Sequence, residues 1–347
     1  MKLALYNTNP AWGGGERWFL DAASALEARG HEVVCIGSPG TPLFDRWGRE
    51  ACTVGDALRA PGAALPDLVL ANSGREVRTA LRTLSRSAQT RIVLRRGIDR
   101  PLRDNWVRRR SWRRLSGILV NSDATGRTVR EALPWFPGDR IRRIYNPVTL
   151  EARPRRTDSS AFDIGAVARL VRQKGIDVLL EALARAETTP AWRLTIAGDG
   201  AERGALEEQA GRLGLADRVE FRGHVDDVAR FYAGLDLLVV PSRYEGFGFV
   251  AVEGALAGLP VIASRVSSLP EVVADGTTGR LVPPEDPSAL AAAIEAVAED
   301  VDLAARYGQA GRERARRAFS ADRLYTELEA FLGEAARWLP VRDSHRA

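Results

Sequence analysis

Residues 235–260 read Leu235-Asp236-Leu237-Leu238-Val239-Val240-Pro241-Ser242-Arg243-Tyr244-Glu245-Gly246-Phe247-Gly248-Phe249-Val250-Ala251-Val252-Glu253-Gly254-Ala255-Leu256-Ala257-Gly258-Leu259-Pro260. The run Leu235–Val240 is almost continuously apolar, as a strand buried on both faces is. Pro241 and Ser242 end it, Gly246 and Gly248 bracket a loop, and Phe249–Ala257 reads as a short buried helix. A strand buried on both faces that passes through a glycine loop into a buried helix is a unit of a parallel α/β sheet. Between Glu245 and Ser264 the only polar side chain is Glu253. A carboxylate in so apolar a segment is expensive unless hydrogen-bonded or paired. Two readings follow. In one, Glu253 caps neighbouring backbone or pairs with an arginine; in the other, Glu245 on the loop and Glu253 on the helix face a pocket of hydroxyls.

Working outward, the same alternation fills the second half of the chain. Residues 162–168, 193–197, 219–222, 235–240 and 261–264 read as strands, with a short sixth at 280–282. Residues 289–298, 303–318 and 321–336 read as helices. The first half repeats the pattern, with strands at 2–9, 31–37, 68–72, 91–94, 118–121 and 141–145 and helical segments between them. Strand–helix alternation at this spacing predicts parallel sheets with helices on both faces. Residues 149–161, poor in apolar residues and without periodicity, read as a linker.

The bulk numbers agree with two globular domains. The chain has 347 residues, enough for two domains of about 150–170 residues. Its hydrophobic fraction is 45% and its charged fraction 27%, the balance of a soluble globular protein. Met1-Lys2 is followed by too short an apolar run for a secretory signal, and no run approaches the ~20 residues of a membrane span. Cys35 and Cys52 form no metal or redox spacing, which predicts a reducing cytoplasm. Net charge is +5, and of 50 basic residues only Lys2 and Lys174 are lysines. An internal lysine in so arginine-rich a chain is a candidate for a specific role.

That lysine lies in Ala168-Arg169-Leu170-Val171-Arg172-Gln173-Lys174-Gly175, just after the second half's first strand. Ligands of open α/β sheets bind at the carboxyl ends of strands. Arg169 and Lys174 at such an edge suit a diphosphate, the arginine as a fork and the lysine as a point charge; the plain alternative is a solvated basic turn. Ala197-Gly198-Asp199-Gly200 and Phe221-Arg222-Gly223-His224 end two further strands, as tight turns or as places where backbone approaches a ligand. Gly13-Gly14-Gly15, between the first strand and first helix, has the form of an anion-binding loop but lacks the full dinucleotide fingerprint.

Taken together, the two glutamates with seven residues between them, the Gly-Phe-Gly turn and the Arg169-Leu170…Lys174-Gly175 element resemble the retaining nucleotide-sugar glycosyltransferases of family 4. The resemblance runs from residue 4 to about residue 335. It implies the GT-B architecture, two Rossmann-like doubly wound domains facing a cleft. Residues 1–150 would be the acceptor domain and 162–320 the donor domain, with a helix in 321–347 crossing back to the first. It implies that Arg169, Lys174 and Glu245 are catalytic, the two cations stabilising the departing nucleoside diphosphate. Gly198, Gly200, Gly223, His224, Gly246, Phe247, Gly248, Phe249 and Glu253 would line the donor, Glu253 on ribose hydroxyls. Gly13, Gly14 and Gly15 would cover the donor or shape the acceptor site. The mechanism implied is retention without a metal or cofactor, with a UDP-sugar as the common donor and a glycan, lipid-linked or envelope acceptor. A catalytically silent nucleotide-sugar or polysaccharide binding module on the same fold is the alternative, and an epimerase of the same architecture a more distant one.

The sequence departs from the family at one place. Many members carry a His-Gly after a middle strand of the first domain, next to the sugar; here the chain reads Arg95-Arg96-Gly97. Arginine cannot act as a base at neutral pH, so Arg95 and Arg96 are candidates for binding an anion on donor or acceptor. They belong to a wider cluster: ten arginines from Arg91 to Arg114, with Trp106 and Trp112 among them and only Asp99 and Asp104 opposing. Such a stretch suits an anionic membrane surface at the inner face of the membrane, an anionic acceptor or a solvated face. Nucleic acid is the least favoured partner.

Overall fold

The computed structural model describes residues 1–48, 51–54, 65–84, 89–154, 161–186 and 191–341. The chain divides into two compact units, one made of Met1–Pro147 with Ala321–Ala347 and the other of Val148–Ser320. Of the expected linker, residues 155–160 lie outside the described residues, as do 342–347 of the tail.

The first unit is a seven-stranded parallel sheet. Its strands are β1 (Lys2–Tyr6), β2 (Glu32–Ile36), β3 (Ala51–Cys52), β4 (Leu68–Ala71), β5 (Arg91–Arg96), β6 (Gly117–Val120) and β7 (Ile141–Arg143), in the order β3-β2-β1-β4-β5-β6-β7. Helices α1 (Gly14–Glu27), α2 (Pro42–Trp47), α3 (Gly74–Thr83), α4 (Trp106–Trp112) and α5 (Asp123–Ala132) connect them. Successive strand residues point to opposite faces, so each central strand feeds two cores. Leu3, Leu5, Leu68 and Leu70 pack on one face with Phe19 and Leu26 of α1. Ala4, Tyr6, Val69 and Ala71 pack on the other with Val77 and Trp112. The last helix, Ala321–Arg337, joins the first of these cores. Its buried residues Leu324, Leu328, Phe331, Leu332 and Ala335 fall on one helical stripe, and each large one contributes about 1.5–3 kcal/mol by leaving water. Arg29 Nη2 to Asp322 at 2.9 Å and His31 Nε2 to Glu329 at 3.1 Å fasten its outer side.

The second unit is a six-stranded parallel sheet of β8 (Phe162–Val167), β9 (Trp192–Ala197), β10 (Val219–Gly223), β11 (Leu237–Val240), β12 (Val261–Ser264) and β13 (Gly279–Val282), ordered β10-β9-β8-β11-β12-β13. Its helices are α6 (Ile176–Arg185), α7 (Arg203–Arg212), α8 (Val228–Ala233), α9 (Phe249–Ala257), α10 (Leu269–Val272), α11 (Pro287–Glu299) and α12 (Val301–Ala318). Ile164, Leu194, Ile196, Leu237, Val239 and Ile262 meet Leu179, Leu183, Leu206, Ile294 and Val297 in one core. The apolar run beginning at Leu235 enters the sheet two residues later, because Leu235 instead fills the space beside Gly165, where a Cβ would sit 2.2 Å from it.

Both sheets wind outward from an interior strand in one direction and then return to wind the other way. The reversal falls between β1 and β4 in one sheet and between β8 and β11 in the other. Loops that leave the carboxyl ends of such a pair diverge and leave a crevice, the place where ligands of this sheet class bind. No helix among the described residues is long and apolar enough to cross a membrane.

Candidate active site

The crevice of the second sheet is framed by residues 168–175 after β8 and 241–248 after β11. Backbone and side chains tie the two loops together. Arg243 N donates to the Gln173 carbonyl at 2.8 Å, and Gln173 Nε2 donates to the Tyr244 carbonyl at 3.0 Å. Gly175, at φ +66°, passes so close to Pro241 that a Cβ would lie 2.0 Å from its carbonyl oxygen. Only glycine fits there. The Arg243 guanidinium spans the pair as a fork, donating to both Asp177 oxygens at 2.8 and 2.7 Å, to Glu285 at 2.8 Å and to the Arg172 carbonyl at 2.7 Å. Burial pushes the Asp177 carboxyl up, but hydrogen bonding and charge from Arg243 outweigh it and hold the group below its ordinary value. The bond from Asp177 in turn raises Arg243.

This frame brings Lys174 and Glu245 together. Glu245 is buried, and its Oε1 accepts from Lys174 Nζ and from Ser242 Oγ at 3.1 Å. Its Oε2 accepts from the Gly246 amide at 3.2 Å, and its own amide donates to Ser267 Oγ at 3.2 Å. Ser267 sits at φ +47°, one of two non-glycine residues in the left-handed region among the described residues. Backbone strain of this kind persists only where surrounding structure imposes it. Arg169, on the same loop as Lys174, is exposed, and its guanidinium has no hydrogen-bond or ion-pair partner among the described residues. The loop pair thus presents one lysine fixed by a carboxylate and one arginine whose charge is uncommitted.

Gly246 and Gly248 carry the chain from Glu245 into α9. Gly248, at φ +86°, turns it under Leu269, whose Cδ2 would lie 2.7 Å from an added Cβ. Phe247 is buried in edge-on contact with Phe249 at 5.3 Å and Phe319 at 5.6 Å. Its side chain fills the core, which corrects the expectation that it lines a ligand: only its backbone remains for that. Glu253, further along α9, is buried and its Oε2 accepts from the hydroxyl of Tyr232 at 2.9 Å. Gly198 and Gly200 turn at the end of β9, beside the β8 loop, where Leu170 N donates to the Asp199 carbonyl at 2.8 Å. Gly223 ends β10, the edge strand, and His224 beyond it is exposed with Nε2 3.3 Å from Asp226.

The remaining candidates lie in the first unit. Gly13 precedes α1 in extended backbone, and Gly14 and Gly15 open the helix. The first turn is occupied by the buried Glu16, which accepts from Asn9 Nδ2 at 2.7 Å and Asn7 Nδ2 at 3.4 Å. A carboxylate there already meets the positive end of the helix. Arg95 and Arg96 point to opposite faces of β5. Arg95 is 2% exposed, lies 4.0 Å over the Trp18 ring and donates to Asn146 Oδ1 at 3.0 Å. Burial pulls its pKa down to about 10, with Glu16 opposing. A guanidinium so enclosed does not reach an acceptor, which corrects its place among the anion candidates. Arg96 stays half-buried, donates to the Arg100 carbonyl at 2.8 Å, and is lowered by burial and by the neighbouring Arg100 charge.

Sequence reasoning missed Tyr232, Ser242, Ser267 and the Arg243–Asp177 fork. Ser242 and Arg243 lie in the quoted stretch without a pattern that marks them, and each of these residues takes its place by a contact across 3 to 66 residues of chain.

The family model described as glycosyl transferases group 1 matches residues 150–314. The lipopolysaccharide core biosynthesis glycosyltransferase LpsE of Rhizobium meliloti is 30% identical over 317 residues, covering 87% of this chain and 90% of that one. A glycogen synthase of Mycobacterium tuberculosis is 37% identical over 163 residues, 46% of this chain, and the match spans only 39% of that protein. Among solved structures, Anabaena HepE in complex with UDP superposes with a TM-score of 0.83 at 22% identity, covering 96% of this chain and 100% of that one. At that identity the likeness shows the fold. With LpsE similar across nearly its whole length and the group 1 model on its second unit, the chain belongs to the group 1 glycosyltransferases.

Proposed function

We propose that the protein is a retaining, metal-independent transferase of the family 4 type, moving a sugar from a nucleotide-sugar donor to a glycan, lipid-linked or envelope acceptor. The observation that carries this is the Lys174–Glu245 pair at the switch point of the second sheet, with Arg169 uncommitted on the same loop. Two cations at a strand's carboxyl edge suit a diphosphate whose negative charge grows as it departs. That is the task a metal would otherwise perform, and it supports a metal-free mechanism. Glu245 holds Lys174 in place, with its oxygens at hand for donor sugar hydroxyls. Glu253 takes the ribose. UDP is the favoured nucleotide, since HepE, of the same fold, is described with UDP and with UDP-glucose. The diphosphate itself accepts the acceptor's proton, so no second nucleophile is required. Cys35 and Cys52, not joined in a disulfide, suit a reducing, cytoplasmic location.

A thermal-shift panel of nucleotides and nucleotide sugars, followed by product analysis, tests this reading. Ligands that bind the native state raise Tm with affinity and concentration. UDP or a UDP-sugar should give the largest shift in the presence of a chelator, and the product should keep the donor's anomeric configuration. An inverted product, or binding that vanishes on chelation, would contradict it.

A further inference from the structure

The connection from β5 to β6 carries large apolar side chains in the open. Trp106, at the start of α4, is 85% exposed, and its neighbour Val107 is 54% exposed. Ile98, earlier on the same connection, is 50% exposed. An indole and a valine held side by side in water at a helix end forgo hydrophobic burial. The helix is not loose: Asn105 caps it through Arg108 N at 3.0 Å, and Trp112 is buried with its Nε1 3.4 Å from the Arg103 carbonyl. The exposed pair is therefore presented on a fixed base.

The arginines around it fall into two sets. Arg109 donates through Nε and Nη2 to Asp104 at 3.0 and 2.6 Å, and Arg109 and Arg113 lie 5.6 and 5.7 Å from the Trp135 ring. Asp104 also accepts from Trp135 Nε1 at 3.0 Å. These two arginines fasten α4 to its own unit. The guanidinium groups of Arg103, Arg108, Arg110 and Arg114 have no hydrogen-bond or ion-pair partner among the described residues. Arg110 follows Trp106 by one helical turn, so the two share a face. No acidic residue occurs from Asn105 to Ser116.

We propose that this surface docks the protein on an anionic lipid bilayer, with Trp106 and Val107 seated at the headgroup level and Arg103, Arg108, Arg110 and Arg114 on lipid phosphates. Tryptophan favours the membrane–water interface, and arginines near an anionic leaflet add electrostatic attraction. A short helix presenting one aromatic and one aliphatic tip suits a headgroup layer; a nucleic acid would use the charges but gain nothing from Val107.

Co-sedimentation with phosphatidylglycerol and with phosphatidylcholine vesicles, across a salt series, tests the proposal. The intact protein should bind phosphatidylglycerol at low salt, ignore phosphatidylcholine, and be released as ionic strength rises. Replacing Arg103, Arg108, Arg110 and Arg114 together by glutamine should lower partitioning by at least about 100-fold. Trp106→Ser should lower it by about tenfold. Arg109→Gln should lower Tm yet leave partitioning within about twofold, because that charge is spent on Asp104. No binding of the intact protein to phosphatidylglycerol would overturn the proposal. So would equal sedimentation of the four-arginine variant, an unchanged Trp106→Ser variant, or tighter binding to an RNA duplex than to the vesicles.

Discussion

In the first unit the loop that leaves β1 meets the helix after β4 through Thr8 and Glu76; in the second, the loops that leave β8 and β11 meet through Lys174 and Glu245. The winding is the same in both sheets, yet the chemistry at the equivalent edge is opposite. Glu76 Oε1 accepts from the Thr8 amide at 2.7 Å and hydroxyl at 2.9 Å, while its buried Oε2 has no hydrogen-bond partner among the described residues. Burial raises its carboxyl above the ordinary value, with Thr8 opposing. Glu16 stands on the same edge, and the Arg95 guanidinium that it acts on is enclosed. The second unit's edge offers Arg169 to solvent and Lys174 half-buried. Topology gives the protein two crevices; charge decides which of them suits a nucleoside diphosphate.

The most severe way to break this comparison is to remove its cations. Lys174→Ala and Arg169→Ala should each lower transfer by at least ~100-fold, the usual scale for a lost stabiliser of developing charge. Steady-state turnover of folded variants is the check, and near-normal rates would return the second crevice to the status of the first. Next in size is the carboxylate that holds Lys174. Glu245→Gln should lower turnover by about 10–100-fold and weaken donor binding as well, since the lysine loses its charged partner. A change in KM alone would mean that Glu245 serves the ground state only.

Smaller effects sharpen the frame. Glu253→Gln keeps the side chain's size but weakens acceptance, so nucleotide affinity should fall by ~1–3 kcal/mol. Calorimetry that finds affinity unchanged would leave Glu253 as the structural partner of Tyr232 alone. The Arg243–Asp177 fork makes a prediction in pH. Because the folded Asp177 is held below its ordinary 3.8, the pair contributes stability above that value and loses it as pH falls through the depressed one. Asp177→Asn should therefore lower Tm by a few degrees at neutral pH, with the gap to wild type closing as pH falls from 3.8 through the depressed value. A gap that stays constant with pH would exclude the ion pair as its cause.

What was legible beforehand follows from the range of each interaction. Runs such as Leu237–Val240 and Leu68–Ala71 are buried at every position, so local pattern alone identifies them as central strands of parallel sheets. The stripe Leu324, Leu328, Phe331, Leu332 and Ala335 is likewise written in its period. The site is another matter. Lys174 and Glu245 are 71 residues apart, and Tyr232 and Glu253 are 21 apart; no local pattern says that they touch. Arg95 and Arg96 show the same limit at short range. Alternation dictates that one faces inward, but only Trp18 and Asn146, far away in sequence, decide which. The arginine–tryptophan cluster was visible as composition, whereas its division into fastened and uncommitted arginines required Asp104 and Trp135 to be placed.

The account stands most directly on which crevice reads a diphosphate. Titration calorimetry of UDP and of uridine into wild type, Lys174→Ala and Arg96→Gln isolates that point. Lys174→Ala should bind UDP about 10–100-fold more weakly, the scale of a lost hydrogen bond to a charged group, and uridine as wild type does. Arg96→Gln should bind UDP within about twofold of wild type, as expected for a diphosphate held by Lys174 and Arg169. UDP affinity unchanged in Lys174→Ala, or lost in Arg96→Gln, would contradict the account.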